Sequence, residues 1–108
     1  MTYTVHLSFE AENDLRDIFA YIAVQLHAPE TARQQVNRLL KMILSLDEMP
    51  FRFRRFDPQK EKYSDLRIVT VDKYCVLYVP NEQQKTVTIV RVMYGGRNLS
   101  AYFGDSAE

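Results

Sequence analysis

The sequence predicts one α+β domain with the element order β-α-α-β-β-β, in which a helical hairpin packs on one face of a small antiparallel sheet. Two observations carry this prediction. Apolar residues recur at helical spacing over residues 11–26 and 32–46, and β-branched and aromatic residues dominate three short runs of the second half. A chain of 108 residues can bury one core, so residues 1–108 are expected to form a single domain. Within it, residues 98–108 either dock on the sheet or form a flexible tail.

The first strand is predicted from alternation near the N-terminus. Tyr3, Val5 and Leu7 alternate with polar residues, which is typical of a strand with one buried face. Ser8 follows, and its hydroxyl is suited to cap a helix whose first turn carries Glu10 and Glu12. We expect this strand to join the sheet at an edge.

Two amphipathic helices are predicted next. The apolar stripe of the first helix extends over about five turns and consists of Ala11, Leu15, Ile18, Ile22 and Leu26. The stripe of the second consists of Ala32, Val36, Leu39, Ile43 and Leu46. Pro29 suits the first position of the second helix, and Met49-Pro50 is expected to end it. The short link between the helices implies that they run antiparallel.

Three strands are predicted after a long loop. They cover residues 66–71, 74–79 and 86–94, and the polar turns at 72–73 and 80–85 join them into an antiparallel meander. If the helical hairpin covers one face of this sheet, the opposite face should be shallow and partly solvated.

The loop at residues 51–64 combines cations with aromatic rings. Arg52, Arg54 and Arg55 interleave with Phe53 and Phe56, a mixture that nucleic-acid surfaces use. The same mixture would arise in a loop that folds its rings onto the helices, and we favour that second interpretation. The loop is otherwise expected to be exposed.

Charge is divided unequally along a chain whose net charge is zero. Residues 1–50 have four basic and seven acidic side chains, a net charge of −3, whereas residues 51–97 have ten and five, a net charge of +5. The basic half could face nucleic acid or an acidic protein segment. On charge alone, we favour the interpretation of an ordinary charged surface.

Several classes of protein are excluded by what the sequence lacks. It has no apolar run of 18 residues and no basic segment followed by an apolar one, so neither a membrane span nor a signal peptide is predicted. Cys75 is the only cysteine and cannot form an internal disulfide, which favours a cytoplasmic protein. His6 and His27 are distant from it in sequence, so no metal site is predicted.

The last two strands resemble the C-terminal hairpin of a known family. Its members carry a strand "Y-x-ϕ-ϕ-Y" and then "R-ϕ-ϕ-H/Y-G-x-R", and the matching residues here are Tyr74, Val76, Leu77, Tyr78, Arg91, Val92, Met93, Tyr94, Gly95 and Arg97. Residues 11–23 and 46–50 resemble the family's helix motifs. The chain is thus similar to the RelE/ParE superfamily, the toxins of bacterial type II toxin–antitoxin systems. That resemblance implies the same fold, no cofactor, and a hetero-oligomer with a cognate antitoxin.

The family has two chemistries, and Cys75 bears on the choice between them. RelE-like members cut mRNA on the ribosome without a metal, and a catalytic arginine follows the aromatic residue that begins the third strand. Here Cys75 follows Tyr74, and a thiol has neither the charge nor the forked donors of a guanidinium. The residues left for a nuclease are Arg67, Arg91, Tyr94 and Arg97.

The resemblance is therefore nearer to ParE, which lacks the nuclease residues and inhibits DNA gyrase by protein–protein contact. The leading hypothesis is a ParE-like gyrase inhibitor of a plasmid-stabilisation module. The alternatives are a RelE-like mRNA endoribonuclease that acts at the ribosome, or a degenerate member that only binds its antitoxin.

Candidate binding residues for a protein partner or nucleic acid follow from these patterns: Arg52, Arg54, Arg55, Arg67, Arg91, Tyr94, Arg97 and Tyr102. Some have a structural interpretation beside the functional one. Arg91 could pair with Asp14 or Asp17 of the first helix, Tyr94 could be a packing residue, and Cys75 is best interpreted as a buried packing residue. An antitoxin segment is hypothesised to cross the helical hairpin and the sheet and to neutralise three of the arginines, Arg67, Arg91 and Arg97.

Overall fold

The structure, a computed structural model, describes residues 2–56 and 65–95. The elements follow the predicted order β-α-α-β-β-β, with bounds β1 (Thr4–Leu7), α1 (Phe9–Ala20), α2 (Pro29–Ser45), β2 (Arg67–Val71), β3 (Tyr74–Asn81) and β4 (Thr86–Tyr94). A π-helical turn, Tyr21–Gln25, continues α1, and a 3-10 turn, Pro50–Arg52, follows α2. The helical hairpin packs on one face of a four-stranded sheet, as predicted.

The sheet has the strand order β1-β4-β3-β2, so β1 lies at an edge, as expected. The three later strands form the predicted antiparallel meander. However, β1 pairs with β4 in parallel, with Thr4 opposite Thr86 and Leu7 opposite Ile89, and the sheet is therefore mixed.

The course of the helices explains this direction. Helix α1 runs along β4 in the direction of that strand. The hydroxyl of Ser8, just before the helix, donates to the carbonyl of Val90, and Asp14, further along the helix, accepts from the side chain of Arg91. Helix α2 then returns the chain to the start of β1, where the N–H of Tyr3 donates to the carbonyl of Asp47 at 2.8 Å. The chain enters β2 at the end of the sheet where β1 begins, so β2 runs in the direction of β1. Strand β3 runs in the opposite direction, and β4 is again parallel to β1.

The main core lies between the helices and the sheet. Leu39 and Ile43 of α2 are completely buried, and so is Leu46, the C-terminal cap residue of that helix. All three belong to the same core cluster as Val76 and Tyr78 of β3. Burying an aliphatic side chain of this size contributes roughly 1.5–3 kcal/mol, so the buried members of the two predicted stripes stabilise the contact between helices and sheet. Leu26, predicted at the end of the first stripe, is instead 54% exposed.

The opposite face of the sheet differs from the expectation. It was predicted to be partly solvated, but it carries a second buried apolar cluster of Leu66, Ile68, Cys75, Leu77 and Met93. Leu77 has no exposed surface at all. Strand β3 is consequently buried on both faces and reads as a nearly continuous apolar run, without the strict alternation of a one-sided strand.

The helix ends show where local sequence signals applied. Ser8 caps α1 as predicted, since its Oγ accepts from the N–H of Ala11 at 3.0 Å. The second helix ends at Ser45, before the predicted Met49-Pro50 stop, and Met49 adopts a positive φ of 50° that a helix cannot continue through. Pro50 then begins the 3-10 turn.

The segment after α2 folds back on the protein. Phe53 packs against the main core, on the side of the helices as expected. Phe56 instead packs against the second cluster, on the opposite face of the sheet, so the interpretation that the loop folds its rings onto the helices holds only for Phe53. Residues 57–64 and the predicted tail at 98–108 lie outside the described residues. Within the ranges that the structure describes, none of the helices has the length and apolar character needed to span a membrane.

Candidate functional site

A groove of about 630 Å³ opens between the end of α1 with its π-helical turn and the adjoining ends of β3 and β4. Its walls combine apolar, aromatic and charged side chains: Asp14, Asp17, Ile18, Tyr21, Tyr74, Arg91, Val92, Met93 and Tyr94. We call it the tyrosine groove. Two of the candidate residues from the sequence, Arg91 and Tyr94, meet here.

An ion pair lies in one wall of the groove. The Nε and Nη2 atoms of Arg91 donate to the two carboxylate oxygens of Asp14, each at 2.8 Å. The Asp14 carboxylate also accepts the backbone N–H of Val92 at 2.9 Å. The side chain of Asp14 is only 10% exposed and that of Arg91 29%. This bidentate geometry is the strong form of the arginine–carboxylate contact, and it fixes α1 on β4.

Three tyrosines also line the groove: Tyr21, Tyr74 and Tyr94. The rings of Tyr74 and Tyr94 stand edge to face, with centroids 6.0 Å apart and an interplanar angle of 75°. Tyr21 is 56% exposed and Tyr94 49% exposed. Burial raises the pKa of Tyr74, and the neighbouring Tyr21 and Tyr94 raise it further. The Tyr74 hydroxyl therefore keeps its proton at neutral pH.

Asp17 gives the groove an excess of negative charge. It is exposed and accepts only a weak hydrogen bond, from Nδ2 of Asn13 at 3.3 Å, among the contacts of the described residues. Asp14 is already neutralised by Arg91. The three charged side chains that line the groove therefore carry one net negative charge.

Arg67 lies elsewhere, at the other end of the sheet. Its Nη1 donates to the carbonyl oxygens of Phe51 and Phe53 at 3.2 and 2.8 Å, and its guanidinium stacks on the Phe51 ring at 5.0 Å. Nearby, the hydroxyl of Tyr78 donates to the carbonyl of Pro50 at 2.7 Å. Both side chains thus hold the segment that follows α2 against the sheet.

The loop arginines also have structural contacts. The Nη1 of Arg52 donates to the carbonyls of Glu48 and Met49, at 2.6 and 3.2 Å, and its Nη2 donates to the hydroxyl of Ser45, the last residue of α2, at 3.0 Å. Arg54 is exposed and donates to the carbonyl of Arg55 at 3.3 Å. None of the three predicted loop residues Arg52, Arg54 and Arg55 lines the tyrosine groove. The predictions for Arg97 and Tyr102 fall outside the described residues.

Cys75 is buried in the second apolar cluster. A Cβ added at Gly95 would lie 3.3 Å from the Cys75 sulfur and 3.3 Å from the carbonyl of Lys73, to which the Gly95 N–H donates at 2.8 Å. The backbone is therefore too closely packed at this glycine to accept a side chain without a small shift. These contacts agree with the interpretation of Cys75 as a packing residue.

Tyr21 and Tyr74 were not predicted from the sequence as members of a common site. Tyr21 lies outside the apolar stripe of α1 and four residues after Asp17, which places both on one side of a helix. That spacing was the available signal. Which strand ends lie beside this side of the helix depends on the tertiary fold. Across residues 2–56 and 65–95, no group of three or more His, Cys, Asp or Glu side chains is placed to hold a metal ion.

A family model and several solved structures match the chain. The model of the ParE toxin of type II toxin–antitoxin systems, parDE, matches residues 5–99. The chromosomal ParDE toxin–antitoxin system from P. aeruginosa aligns with a TM-score of 0.70 and 18% identity, over 86% of this chain and 96% of that chain. A comparison with curated proteins found no match.

Two further complexes share the fold. The toxin–antitoxin complex RelBE2 from Mycobacterium tuberculosis aligns with a TM-score of 0.61 and 20% identity, over 87% of this chain and 99% of that chain. The archaeal RelE–RelB complex from Pyrococcus horikoshii OT3 aligns with a TM-score of 0.60 and 20% identity, over 90% and 99%. At these identities the structural likeness shows a common fold, which both branches of the superfamily have.

Proposed function

This chain belongs to the ParE toxin family of type II toxin–antitoxin systems, and we propose that it inhibits DNA gyrase by protein contact and does not cut RNA. We also propose that it acts in the cytoplasm and is kept inactive by a cognate antitoxin in a hetero-oligomer.

The observation that carries the proposal is the ion pair between Arg91 and Asp14. Metal-free cleavage of RNA requires cations placed where negative charge develops on the phosphate. The Arg91 guanidinium instead binds the Asp14 carboxylate through two bonds of 2.8 Å. Asp17 adds a further negative charge to the same groove, so an RNA phosphate would be repelled there.

The other nuclease candidates within the described residues support the same proposal. Arg67 lies away from the tyrosine groove and donates to backbone carbonyls. Cys75, at the position of the nuclease arginine, is buried and uncharged. Tyr94 therefore has no cationic partner for phosphate chemistry among the side chains that line the groove, apart from the arginine that Asp14 holds.

A protein target suits the surface better. Tyr21 and Tyr94 are each about half exposed at the mouth of the groove. Tyrosine is enriched at the energetically important centres of protein interfaces, because it buries a large apolar ring and keeps a polar hydroxyl.

The antitoxin contact is proposed for the helical hairpin. Val24, Leu26 and Leu44 are more than half exposed there, and such apolar side chains suit a partner segment that wraps the surface. The ParDE and RelBE neighbours were solved as toxin–antitoxin systems or complexes, which is consistent with such a partner. Contacts of the antitoxin with Arg67, Arg91 and Arg97 stay a prediction.

The test is inducible expression of the full chain in a bacterial host, with gyrase supercoiling activity and mRNA 5′ ends measured in parallel. We expect inhibited or trapped gyrase with intact transcripts. Tyr94→Ala should reduce the inhibition because it removes an exposed ring, whereas Arg54→Ala, at an exposed site outside the groove, should not. Codon-phased mRNA cleavage with normal supercoiling would overturn the proposal and favour the endoribonuclease alternative.

A further inference from the structure

We propose that the tyrosine groove is a binding site for an arginine side chain that a protein partner inserts between Tyr21, Tyr74 and Tyr94. The ring geometry, the local charge and the backbone of α1 all support such a site. The groove would recognise the same chemistry if gyrase were not the partner.

The rings are arranged to receive a flat cation. Tyr74 and Tyr94 meet at 75° with centroids 6.0 Å apart, so they form two nearly perpendicular sides of the groove. Tyr21 supplies a further aromatic wall. The face of a neutral phenol ring carries partial negative charge and attracts a cation within about 6 Å. Ile18, which is partly exposed, adds apolar surface for the aliphatic stem of an arginine.

The charges that face the groove select a cation over an anion. The guanidinium of Arg91 would repel an incoming cation, but the buried Asp14 carboxylate neutralises it through two hydrogen bonds. Asp17 lines the groove, is exposed, and has no ion pair among the contacts of the described residues. One carboxylate is thus left to meet an incoming positive group.

Arginine fits this combination better than lysine. A guanidinium is planar, stacks on aromatic faces and offers a fork of donors to a carboxylate, whereas an ammonium is compact and more strongly hydrated. A groove of about 630 Å³ accommodates the whole side chain.

The backbone provides a separate indication of function. Tyr21 begins a π-helical turn, in which its carbonyl accepts the N–H of Leu26 at 3.2 Å. Such turns are uncommon and occur frequently at functional sites. The regular α-helical hydrogen bonding of α1 ends where this turn begins, and the exposed ring of Tyr21 lines the groove at that point.

The experiment titrates the full chain, labelled at its tyrosine rings for NMR, with N-acetyl-arginine methylamide. The matched probe is N-acetyl-citrulline methylamide, which has nearly the same shape but no charge. We expect saturable shifts of the Tyr21, Tyr74 and Tyr94 ring resonances with the arginine probe, and at least fivefold weaker binding of the citrulline probe. Equal binding of the two probes, or no shift with either, would overturn the proposal.

Two variants locate the site. Asp17→Asn keeps the shape and removes the charge, and Tyr94→Leu keeps an apolar side chain and removes the ring. Each should weaken the arginine probe about two- to fivefold, as expected for exposed ionic and cation–π contacts. Glu12→Gln is the control, since Glu12 is an exposed carboxylate of the same helix outside the groove. If Glu12→Gln weakened binding as much as Asp17→Asn, the effect would be general electrostatics and the site would be wrong.

A failure of this test and a failure of the proposed function are distinguishable. Gyrase inhibition can be observed while the arginine probe does not bind, and the probe can bind in a protein that leaves gyrase unaffected.

Discussion

Asp14 and Arg91 are separated by 77 positions in the chain, yet their side chains form two hydrogen bonds of 2.8 Å that fasten α1 to β4. The same carboxylate accepts the N–H of Val92, so one side chain satisfies both a guanidinium and a backbone donor. Arg91 was a candidate for catalysis, but this geometry is that of a structural clamp. The distinction can be tested by stability.

Asp14→Asn should destabilise the fold by about 2–4 kcal/mol, because it leaves a half-buried guanidinium without its counter-charge. Arg91→Lys should also destabilise it, since an ammonium cannot reproduce the bidentate contact. Urea unfolding of the two single variants and of the double variant gives the coupling energy. An Arg91→Lys protein with unchanged stability would contradict the clamp.

Tyr78→Phe should cost about 1 kcal/mol of unfolding free energy at neutral pH, because the 2.7 Å hydrogen bond to the carbonyl of Pro50 is lost. The comparison by urea unfolding is with Tyr3→Phe, at a partly buried ring whose hydroxyl has no hydrogen bond among the contacts of the described residues. Equal effects of the two substitutions would show that the Tyr78 bond contributes no net stability.

The fold should also lose stability at alkaline pH. Burial is the main cause that raises the pKa of Tyr78, and burial likewise raises that of Tyr74. A raised pKa means that the folded state holds the phenolic proton more tightly than the unfolded chain. The stabilisation is complete below the ordinary tyrosine pKa of about 10 and disappears as the pH rises through the folded values. Unfolding measured from pH 8 to 11 should show a smaller decline for Tyr78→Phe than for the wild type.

Arg67→Met should destabilise the protein by about 1–2 kcal/mol, because it keeps an unbranched stem but removes the donors to the carbonyls of Phe51 and Phe53. Arg54→Met is the matched control at an exposed site and should change stability by less than about 0.5 kcal/mol. Thermal unfolding of both variants checks this. A stable Arg67→Met protein that no longer inhibits its target would show instead that Arg67 binds a partner.

Ser8→Ala should cost about 1–2 kcal/mol. The Ser8 hydroxyl caps α1 by accepting from Ala11 and also donates to the carbonyl of Val90 at 2.8 Å, so it joins the helix start to β4. Ser8→Asn retains a cap but loses the hydrogen bond to the Val90 carbonyl, so its unfolding free energy should lie between those of the wild type and Ser8→Ala. If alanine and asparagine were equivalent, the cap would contribute little.

The element order was predictable because local signals agreed with the fold. The stripes of α1 and α2, the Ser8 cap and the three β-rich runs of the meander can all be recognised from neighbouring residues. The direction of β1 was not, because it depends on where α2 returns the chain. That position is set by contacts such as Tyr3 with Asp47, which sequence spacing does not encode.

The candidate site was predictable only in part. Arg91 and Tyr94 were found from the hairpin motif, and the pairing of Arg91 with Asp14 was one of the two alternatives foreseen. Tyr21 was not found, because its role depends on the packing of α1 over the ends of β3 and β4. The second apolar cluster was also missed, since Cys75, Leu77 and Met93 look like ordinary members of a half-buried sheet.

The parallel pairing of β1 with β4 has a consequence for how the protein acquires its shape during synthesis. Among the described residues, Thr4–Leu7 pair with residues 86–89, so β1 is synthesised well before its partner strand β4. The helical hairpin can form from local contacts while the chain is still growing, but closure of the sheet is a late, long-range step. The clamp between Asp14 and Arg91 is completed at that same stage. A nascent chain in which β4 has not yet been made therefore lacks the tyrosine groove, whose lining includes Arg91 and Tyr94 of that strand.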